Sequence, residues 1–489
     1  MGDSIGPADR DRALAHLADD VLDVLVVGAG ATGCGTALDA AARGLRVGLI
    51  DAGDIAGGTS SRSSKLVHGG LRYLQTGDVT LVREALHERD LLVTVLAPGL
   101  VRPLPFLLPL RRPWDRLYLG AGLRAYDLLA RSRLLPPHEV LSADEASVQF
   151  PDLRGPLVGA LRYYDAQMDD ARLGVALART AAGLGAYVAS HVTLVDGGVV
   201  DGGLRRVVVR DEATGSSITV ATRAVALCVG PWAPQVAALF ADDGPGPGAV
   251  VRSKGVHLRL ARRAIDGQDA LIVPAGDSVL FVLPSPTHWL VGTTDTPFDG
   301  PPESVSVEPA DVAYLLDRLR EAVTADVSEA DVTYAFAGVR PLARDGSIAG
   351  GTTKVSREHR ITAVGDGVLA IAGGKWTTYR IMARDLVDAV VADLGVAALP
   401  CRTDEIALVD PRAGEVAALI AGDPALADPL LEAPGFVRAD VVQAVVHDGA
   451  RTVDDVVRRR LRLPLELDVV TEGTLAEVAR LTLGALRAG

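Results

Sequence analysis

Lysine is almost missing from this 489-residue chain: Lys65, Lys254, Lys354 and Lys375 are all it has, and arginine supplies the rest of the 49 basic side chains. Arginine replaces a surface lysine freely but not a compact ammonium in a tight site. The survivors therefore mark where to look first. Three of them lie in glycine-flanked loops: Lys65 in Ser-Ser-Lys-Leu-Val-His-Gly-Gly, Lys254 in Ser-Lys-Gly-Val-His, and Lys375 in Gly-Gly-Lys-Trp-Thr-Thr-Tyr-Arg. For Lys254 and Lys354 an ordinary solvated role competes. Cysteine is scarce as well. Cys34, Cys228 and Cys401 show no C-x-x-C spacing and leave one thiol unpaired, which points to buried thiols in a reducing compartment; no metal is expected. No apolar run reaches the length of a transmembrane helix, and the first twenty residues are acidic and polar rather than a signal peptide. The expected location is the cytoplasm. Acidic side chains, 62, outnumber basic ones, and the net charge of −13 argues against general nucleic-acid affinity.

Against these absences stand 52 glycines and a hydrophobic content of 48%, enough for a large α/β core, and the length suits two or three domains. The apolar, β-branched run Val24 to Val27 leads at once into Gly28, Gly30 and Gly33, and Thr32 to Arg43 continues as an Ala-rich helix. Such glycines let the chain turn tightly and approach a pyrophosphate held at the helix N-terminus. A second strand, Arg46 to Ile50, closes with Asp51, at about the 20-residue spacing of an acid that binds a ribose hydroxyl. A lone G-x-G-x-x-G is weak evidence and could be a plain connector. Strand, turn, helix, strand and acid in order are specific to a dinucleotide fold. A few residues on, Thr59 to Leu74 crowds hydroxyls, bases and glycines into one loop that has nothing to bury, and reads as a polar cradle for a cofactor.

Further along, Glu84 to Leu96 has a helical pattern that a Pro-rich passage, Pro98 to Pro113, ends. Trp114 to Leu135 is amphipathic, with Tyr118 and Tyr126 and a basic rim of Arg116, Arg124, Arg131 and Arg133. It either packs on the body of the protein or lies on an anionic membrane; charged rims on packed helices are the commoner case. Asp169-Asp170 caps a helix through Leu184, Gly185 stops it, and Tyr187 to Val192 supplies a third nucleotide-domain strand. Ala224 to Val229 is another, and Pro231 opens a helix after Gly230. Between Val250 and Asp295 the runs Val256 to Leu260, Ala270 to Val273, Val279 to Leu283 and His288 to Val291 predict an antiparallel sheet, suited to roofing a flavin. Val368 to Ala372 is again a buried strand, and Gly373-Gly374 leads into a helix from Lys375 to Leu394. A flavin, with a polar pyrimidine end, profits from this second helix N-terminus where a nicotinamide needs only one. The remainder is helical: Glu415 to Ile420, Pro424 to Leu431, Ala439 to His447, Val453 to Leu461 and Leu475 to Leu486. Arg458, Arg459, Arg460 and Arg462 form a basic cluster beside Leu461, Leu463 and Leu465 that faces a membrane or is simply solvated.

Seven motifs in order, Gly28-Ala29-Gly30-Ala31-Thr32-Gly33, Ser-Ser-Lys-Leu-Val-His-Gly-Gly-Leu-Arg-Tyr-Leu from Ser63, Asp169-Asp170-Ala171-Arg172-Leu173, Gly230-Pro231-Trp232, Gly292-Thr293-Thr294-Asp295, Gly338-Val339-Arg340-Pro341-Leu342 and Gly373 to Arg380, together resemble the FAD-dependent glycerol-3-phosphate dehydrogenases. The resemblance spans nearly the whole chain. Single motifs are shared with amino-acid oxidases, but Gly69-Gly70-Leu71-Arg72-Tyr73 combined with Gly338-Val339-Arg340 is specific to this family. The family usually has Asn where this chain has Thr32, which touches one cofactor contact and not the fold. The resemblance implies an α/β fold: a Rossmann-type FAD-binding domain, of the glutathione-reductase and D-amino-acid-oxidase kind, with an antiparallel substrate domain and a C-terminal helical domain. The expected FAD-binding parts are 20–97, 161–245 and 336–398, the substrate or cap parts 98–160 and 246–335, and the helical domain 399–489. It also implies oxidation of sn-glycerol 3-phosphate to dihydroxyacetone phosphate with electrons passing from FAD to a quinone, menaquinone or ubiquinone. A homo-oligomer placed peripherally on the inner face of the plasma membrane is expected.

That chemistry assigns roles to residues. A hydride must leave the carbon bearing the secondary hydroxyl while a base takes the hydroxyl proton. His257, the one motif-set histidine of the roof sheet, is the candidate base or orienting group, against a purely structural role, and His68 is the rival. Arg72 and Arg340 offer fork-shaped donors to the phosphate and Tyr73 a hydroxyl; Lys375 stabilises negative charge on the reduced flavin or reaches the phosphate. Thr294 and Asp295 close the roof strand near the substrate, or make a plain turn. Gly28, Gly30, Thr32, Gly33, Asp51, Ser60, Ser61, Ser64, Lys65, Leu66, His68, Gly69, Gly70, Val192, Gly230, Trp232, Gly374, Lys375, Trp376 and Thr377 are expected around the cofactor. So acidic a protein must focus positive charge locally to hold a phosphate dianion. An oxidase that yields hydrogen peroxide from the same substrate, and a non-catalytic flavin-binding module, are the alternatives.

Overall fold

The computed structural model describes residues 2–71, 78–130, 135–240, 250–275, 278–343, 358–412 and 414–488. Its first sheet has the strand order His359–Gly365, Val368–Gly373, Ser217–Leu227, Val21–Val27, Val47–Asp51, Tyr187–Ser190. All neighbours are parallel except the outer pair His359–Gly365 and Val368–Gly373. The central strands are buried on both faces, as near-continuous Val, Leu and Ile runs require. Helix Ala31–Ala42 follows the first strand directly and lies against helices Asp170–Gly183 and Tyr379–Leu394. Its small residues permit the approach: a Cβ on Gly35 would stand 2.8 Å from the Tyr379 ring.

The second sheet runs Thr296–Pro297, Val250–Ala261, His288–Gly292, Ser278–Pro284, Ala270–Ala275, Val101–Leu110, Gly159–Met168, Leu66–Val67, with Val332–Ala343 paired along the free side of Val250–Ala261. It is antiparallel except between Ala270–Ala275 and Val101–Leu110. The four runs expected between Val250 and Asp295 are all strands of it.

Elsewhere the local reading needs correction. The passage from Pro98 to Pro113 is not merely a helix stop: Val101–Leu110 is a strand paired over its length with Gly159–Met168. Pro103, Pro105 and Pro109 share one parity, whereas Leu110, of the other parity, accepts from Val158 N, so the missing N–H groups do not interrupt that ladder. The strand expected to reach Val192 ends at Ser190, because His191 turns the chain with φ +55° before Val192–Asp201 begins a hairpin with Leu204–Asp211. Pro231 sits in a 3-10 turn, Gly230–Trp232, ahead of a short helix Ala233–Ala237. The C-terminal part is helical, with Glu415–Gly422, Arg438–Val446 and Glu472–Ala488 around their own core of Val441, Ala444, Val456, Leu463 and Val478. Among the described residues no helix is long and apolar enough to cross a membrane.

Candidate functional site

At the carboxyl ends of the parallel strands the first sheet opens into a cavity of about 880 Å³, which the second sheet closes from the other side. Open α/β sheets bind ligands at that end, and ligand cavities run to roughly 1,000 Å³. Gly28, with φ +100°, starts the turn; a Cβ there would lie 2.6 Å from Cys228 O, and one on Gly33 only 1.7 Å from Gly28 O. Both positions therefore require glycine, one for conformation and one for closeness. Asp51, at the end of its strand, accepts from Ala29 N at 2.6 Å and Gly53 N at 2.8 Å, and burial still pushes its carboxyl above the ordinary value.

The cradle is stitched to both sheets. Ser60 Oγ accepts from Ala31 N at 2.9 Å and Ser60 O from the Trp376 indole at 2.8 Å, while Thr59 donates to Val339 O at 2.6 Å. Ser60, Ser64, Leu66 and His68 line the cavity with Gly28, Gly30, Thr32, Asp51, Val192, Gly230, Trp232, Gly374, Lys375, Trp376 and Thr377. Ser61, Lys65, Gly33, Gly69 and Gly70 do not line it. Lys65 is buried in the left-handed region at φ +57°, and its ammonium meets Asp170 at 2.6 Å and Ser61 O at 3.2 Å. Gly69 N donates instead to Tyr126 Oη at 2.9 Å. Lys254 is likewise no surface residue, since it meets Asp311 at 2.8 Å.

His257 and Arg340 enter from the second sheet. Ser64 Oγ lies 2.8 Å from His257 Nε2, and Phe336 stacks on the imidazole at 5.0 Å and 13°. The opposite side is pressed by Gly292, where a Cβ would stand 2.2 Å from His257 Cδ2. Burial, then the charges of Arg340 and Lys65, holds the imidazole well below its ordinary pKa, so it is neutral at pH 7. Its Nδ1 is buried with no hydrogen-bond partner among the described residues. Arg340 donates to Thr293 Oγ1 at 2.8 Å and Thr294 O at 3.1 Å, and lies 3.7 Å from Asp295. Thr294 and Asp295 thus stand behind Arg340 rather than on the cavity wall; Thr294 Oγ1 accepts from Val256 N at 3.0 Å and Asp295 from the Ser253 hydroxyl. Lys375 precedes the 3-10 turn Trp376–Thr378. Arg72 and Tyr73 lie outside the described residues.

Sequence reasoning missed part of the wall. Asp54, His191 and, from the C-terminal part, Thr452, Asp454, Asp455 and Arg459 line the cavity without having been singled out, alongside Arg62 and Ser63 of the cradle and Phe281 of the roof sheet. Only the arginine cluster carried a signal, and it pointed to the surface. Arg459 and Arg460 are in fact buried, 8% and 3% exposed, against Asp54. The pattern of a basic stripe does not distinguish solvated arginines from paired ones.

The donor set fits a flavin dinucleotide: a turn whose glycines a side chain would fill, an acid at the second strand's end, a hydroxyl loop, and a buried histidine nitrogen without a partner among the described residues. A family model for FAD dependent oxidoreductases matches residues 23–380, and one for the C-terminal domain of alpha-glycerophosphate oxidase matches 411–487. Glycerol-3-phosphate dehydrogenase 2 of Mycobacterium tuberculosis and glycerol-3-phosphate dehydrogenase of Mycobacterium leprae are each 38% identical to this chain, covering 95% of it and 84% of their own length. The structure of glycerol-3-phosphate dehydrogenase from Bacillus halodurans complexed with FAD is similar at a TM-score of 0.71 and 25% identity, over 99% of this chain and 98% of that one.

Proposed function

The chain belongs to the FAD-dependent glycerol-3-phosphate dehydrogenases, and on that premise we propose that it oxidises sn-glycerol 3-phosphate to dihydroxyacetone phosphate in this cavity and passes the electrons to a quinone. The observation that carries the reading is His257, held neutral between Ser64, Phe336 and Gly292 beside the guanidinium of Arg340. Bound FAD supplies the acceptor for the hydride from C2. The chain's own residues do the rest. His257, which lines the cavity beside Ser64, takes the hydroxyl proton, and a neutral imidazole is the form able to do so. Arg340 and Lys375, with Arg72 and Tyr73, hold the phosphate; three cations and a hydroxyl gathered at one place bind a dianion far better than scattered ones do. Asp51 and the glycine turn hold the adenosine and pyrophosphate end.

Flavin bands in the visible spectrum of the purified protein, bleached by anaerobic glycerol 3-phosphate, test cofactor and substrate together; a colourless protein, or bands indifferent to the substrate, defeats the proposal. A second reading, the peroxide-forming oxidase, is favoured by the match of residues 411–487 to a glycerophosphate oxidase domain. Peroxide formed in stoichiometric amounts without a quinone analogue would select it.

The membrane side of the reading rests on helix Asp115–Leu129, whose exposed residues Trp114, Leu117, Tyr118, Ala121, Ala125 and Leu128 follow helical spacing while Leu123 and Tyr126 face inward. Leu117 and Leu128 are 81% and 85% exposed, and Arg116 and Arg124 flank the stripe. This is the pattern of an interfacial helix. Co-sedimentation with anionic liposomes checks it; protein left in the supernatant at low salt removes it.

A further inference from the structure

We infer that the C-terminal helical part is a wall of the cofactor site, and that its segment 451–460 clamps the adenosine end of FAD through Arg459, Asp454 and Thr452. The inference rests on the proposed flavin site and adds to it a part of the chain that the glycine turn, the cradle and the roof sheet do not include.

The placement follows from the strands. Asp51 and Tyr187–Ser190 end side by side in the first sheet, and the loops that follow carry Asp54 and His191. An acid closing the second strand is where a dinucleotide fold holds the adenosine ribose. Thr452, Asp454, Asp455 and Arg459 line the cavity there together with Asp51, Asp54, His191, Val192 and Thr193. The segment is fastened by buried charge. Asp54 receives Arg459 Nε at 2.5 Å and both terminal nitrogens of Arg460 at 2.8 and 2.7 Å. Asp455 accepts from Arg451 N and Thr452 N, each at 2.9 Å, and from Arg459 Nη2 at 2.7 Å, and lies 3.1 Å from His191 Nε2. These contacts use up Asp54 and Asp455. Asp454 also pairs with Arg458 Nε at 2.6 Å and Arg459 Nη2 at 3.1 Å, and the Thr452 hydroxyl accepts from Asp455 N at 3.1 Å, so the segment presents to a purine ribonucleoside Arg459 Nη1, the outer lone pairs of the half-exposed Asp454 carboxylate and the Thr452 hydroxyl proton.

Asp54 and Asp455 with His191 would otherwise resemble a cation site. Two arginines already neutralise Asp54, so the cluster is a fastening, not a metal centre.

Coupling between a wall and its ligand is reciprocal. Loosening the segment must weaken the cofactor, and the cofactor must hold the segment in place. The test uses the full-length holoprotein and follows FAD release on dilution by the recovery of flavin fluorescence. Arg459→Gln is expected to release FAD at least about tenfold faster, the effect of losing one hydrogen bond to a charged group. Should that variant fail to fold, Asp454→Asn, whose side chain is 55% exposed, is expected to show the same direction without leaving a buried charge. Arg438→Gln serves as the control: it breaks ion pairs to Asp428 and Glu477 within the same helical part, away from the cavity. It should lower the melting temperature and leave FAD release unchanged. Equal release from wild type, Arg459→Gln and Asp454→Asn overturns the clamp, and so does equally fast release from Arg438→Gln. A wild-type protein that binds no FAD overturns the proposed function instead.

Discussion

Gly292→Ala should slow flavin reduction by about 100-fold while leaving the flavin bound. The added Cβ would stand 2.2 Å from His257 Cδ2 and 2.8 Å from Nε2, whereas ordinary contact begins at 3.4 Å, so the ring must retreat by about 1.2 Å (3.4 − 2.2) or the strand must shift. Phe336 is stacked on the imidazole, which leaves little room for retreat, and the 2.8 Å contact with Ser64 is lost. A misplacement of ~1 Å costs ~10²-fold in rate, and overpacking costs ~1–3 kcal/mol in stability. Gly292 does not line the cavity, so FAD content should be unchanged. The assay is anaerobic stopped-flow reduction by saturating glycerol 3-phosphate, with the visible spectrum reporting flavin content and a urea melt reporting stability on the same sample. A reduction rate within about threefold of wild type, in a variant that is destabilised as expected, would show that the position of the His257 ring does not matter and would remove it as the base.

Asp170→Asn should cost about 3–5 kcal/mol by urea denaturation, because it leaves the Lys65 ammonium buried without its counter-charge; a loss under about 1 kcal/mol would mean water reaches the pair. His288, 7% exposed, is held by burial at a pKa of about 3 against an ordinary 6.5. Below pH 6.5 the unfolded chain binds a proton that the folded one refuses, so this contribution is complete above pH 6.5 and is lost as the pH falls toward 3. At pH 5 the loss is about 2 kcal/mol, and the stability gap between wild type and His288→Asn should narrow by that amount between pH 7 and 5; parallel curves would refute it. Arg340→Lys keeps the charge but not the fork that bonds Thr293 and Thr294, so KM for glycerol 3-phosphate should rise at least about tenfold with flavin content intact. An unchanged KM would take Arg340 out of phosphate binding.

The dinucleotide turn was legible because its demands are local: Gly28 and Gly33 answer to atoms a few residues away, and Asp51 follows within one strand-helix-strand unit. The roof strands were legible from their alternation. Val101–Leu110 was not, because proline reads as a stop unless the parity of its missing N–H groups against a partner strand is known. Lys65 and Lys254 were rightly singled out as unusual, but a compact ammonium in a tight site describes a buried ion pair as well as a ligand contact. Thr294 and Asp295 lie in a motif beside the site, and only the three-dimensional arrangement turns them behind Arg340.

From sequence alone came the cofactor fold, the family and most of the cavity's polar lining, since glycine spacing, strand periodicity and clustered donors are written in consecutive residues. Tertiary structure alone decided which charges face the cavity and which are consumed in holding it together. Arg459 and Arg460 are the plainest case: a basic stripe beside leucines becomes a buried fastening because Asp54, 405 and 406 residues away in the chain, is folded against it. Burial makes a charge seek its partner wherever the chain brings one, and no local pattern records where that is.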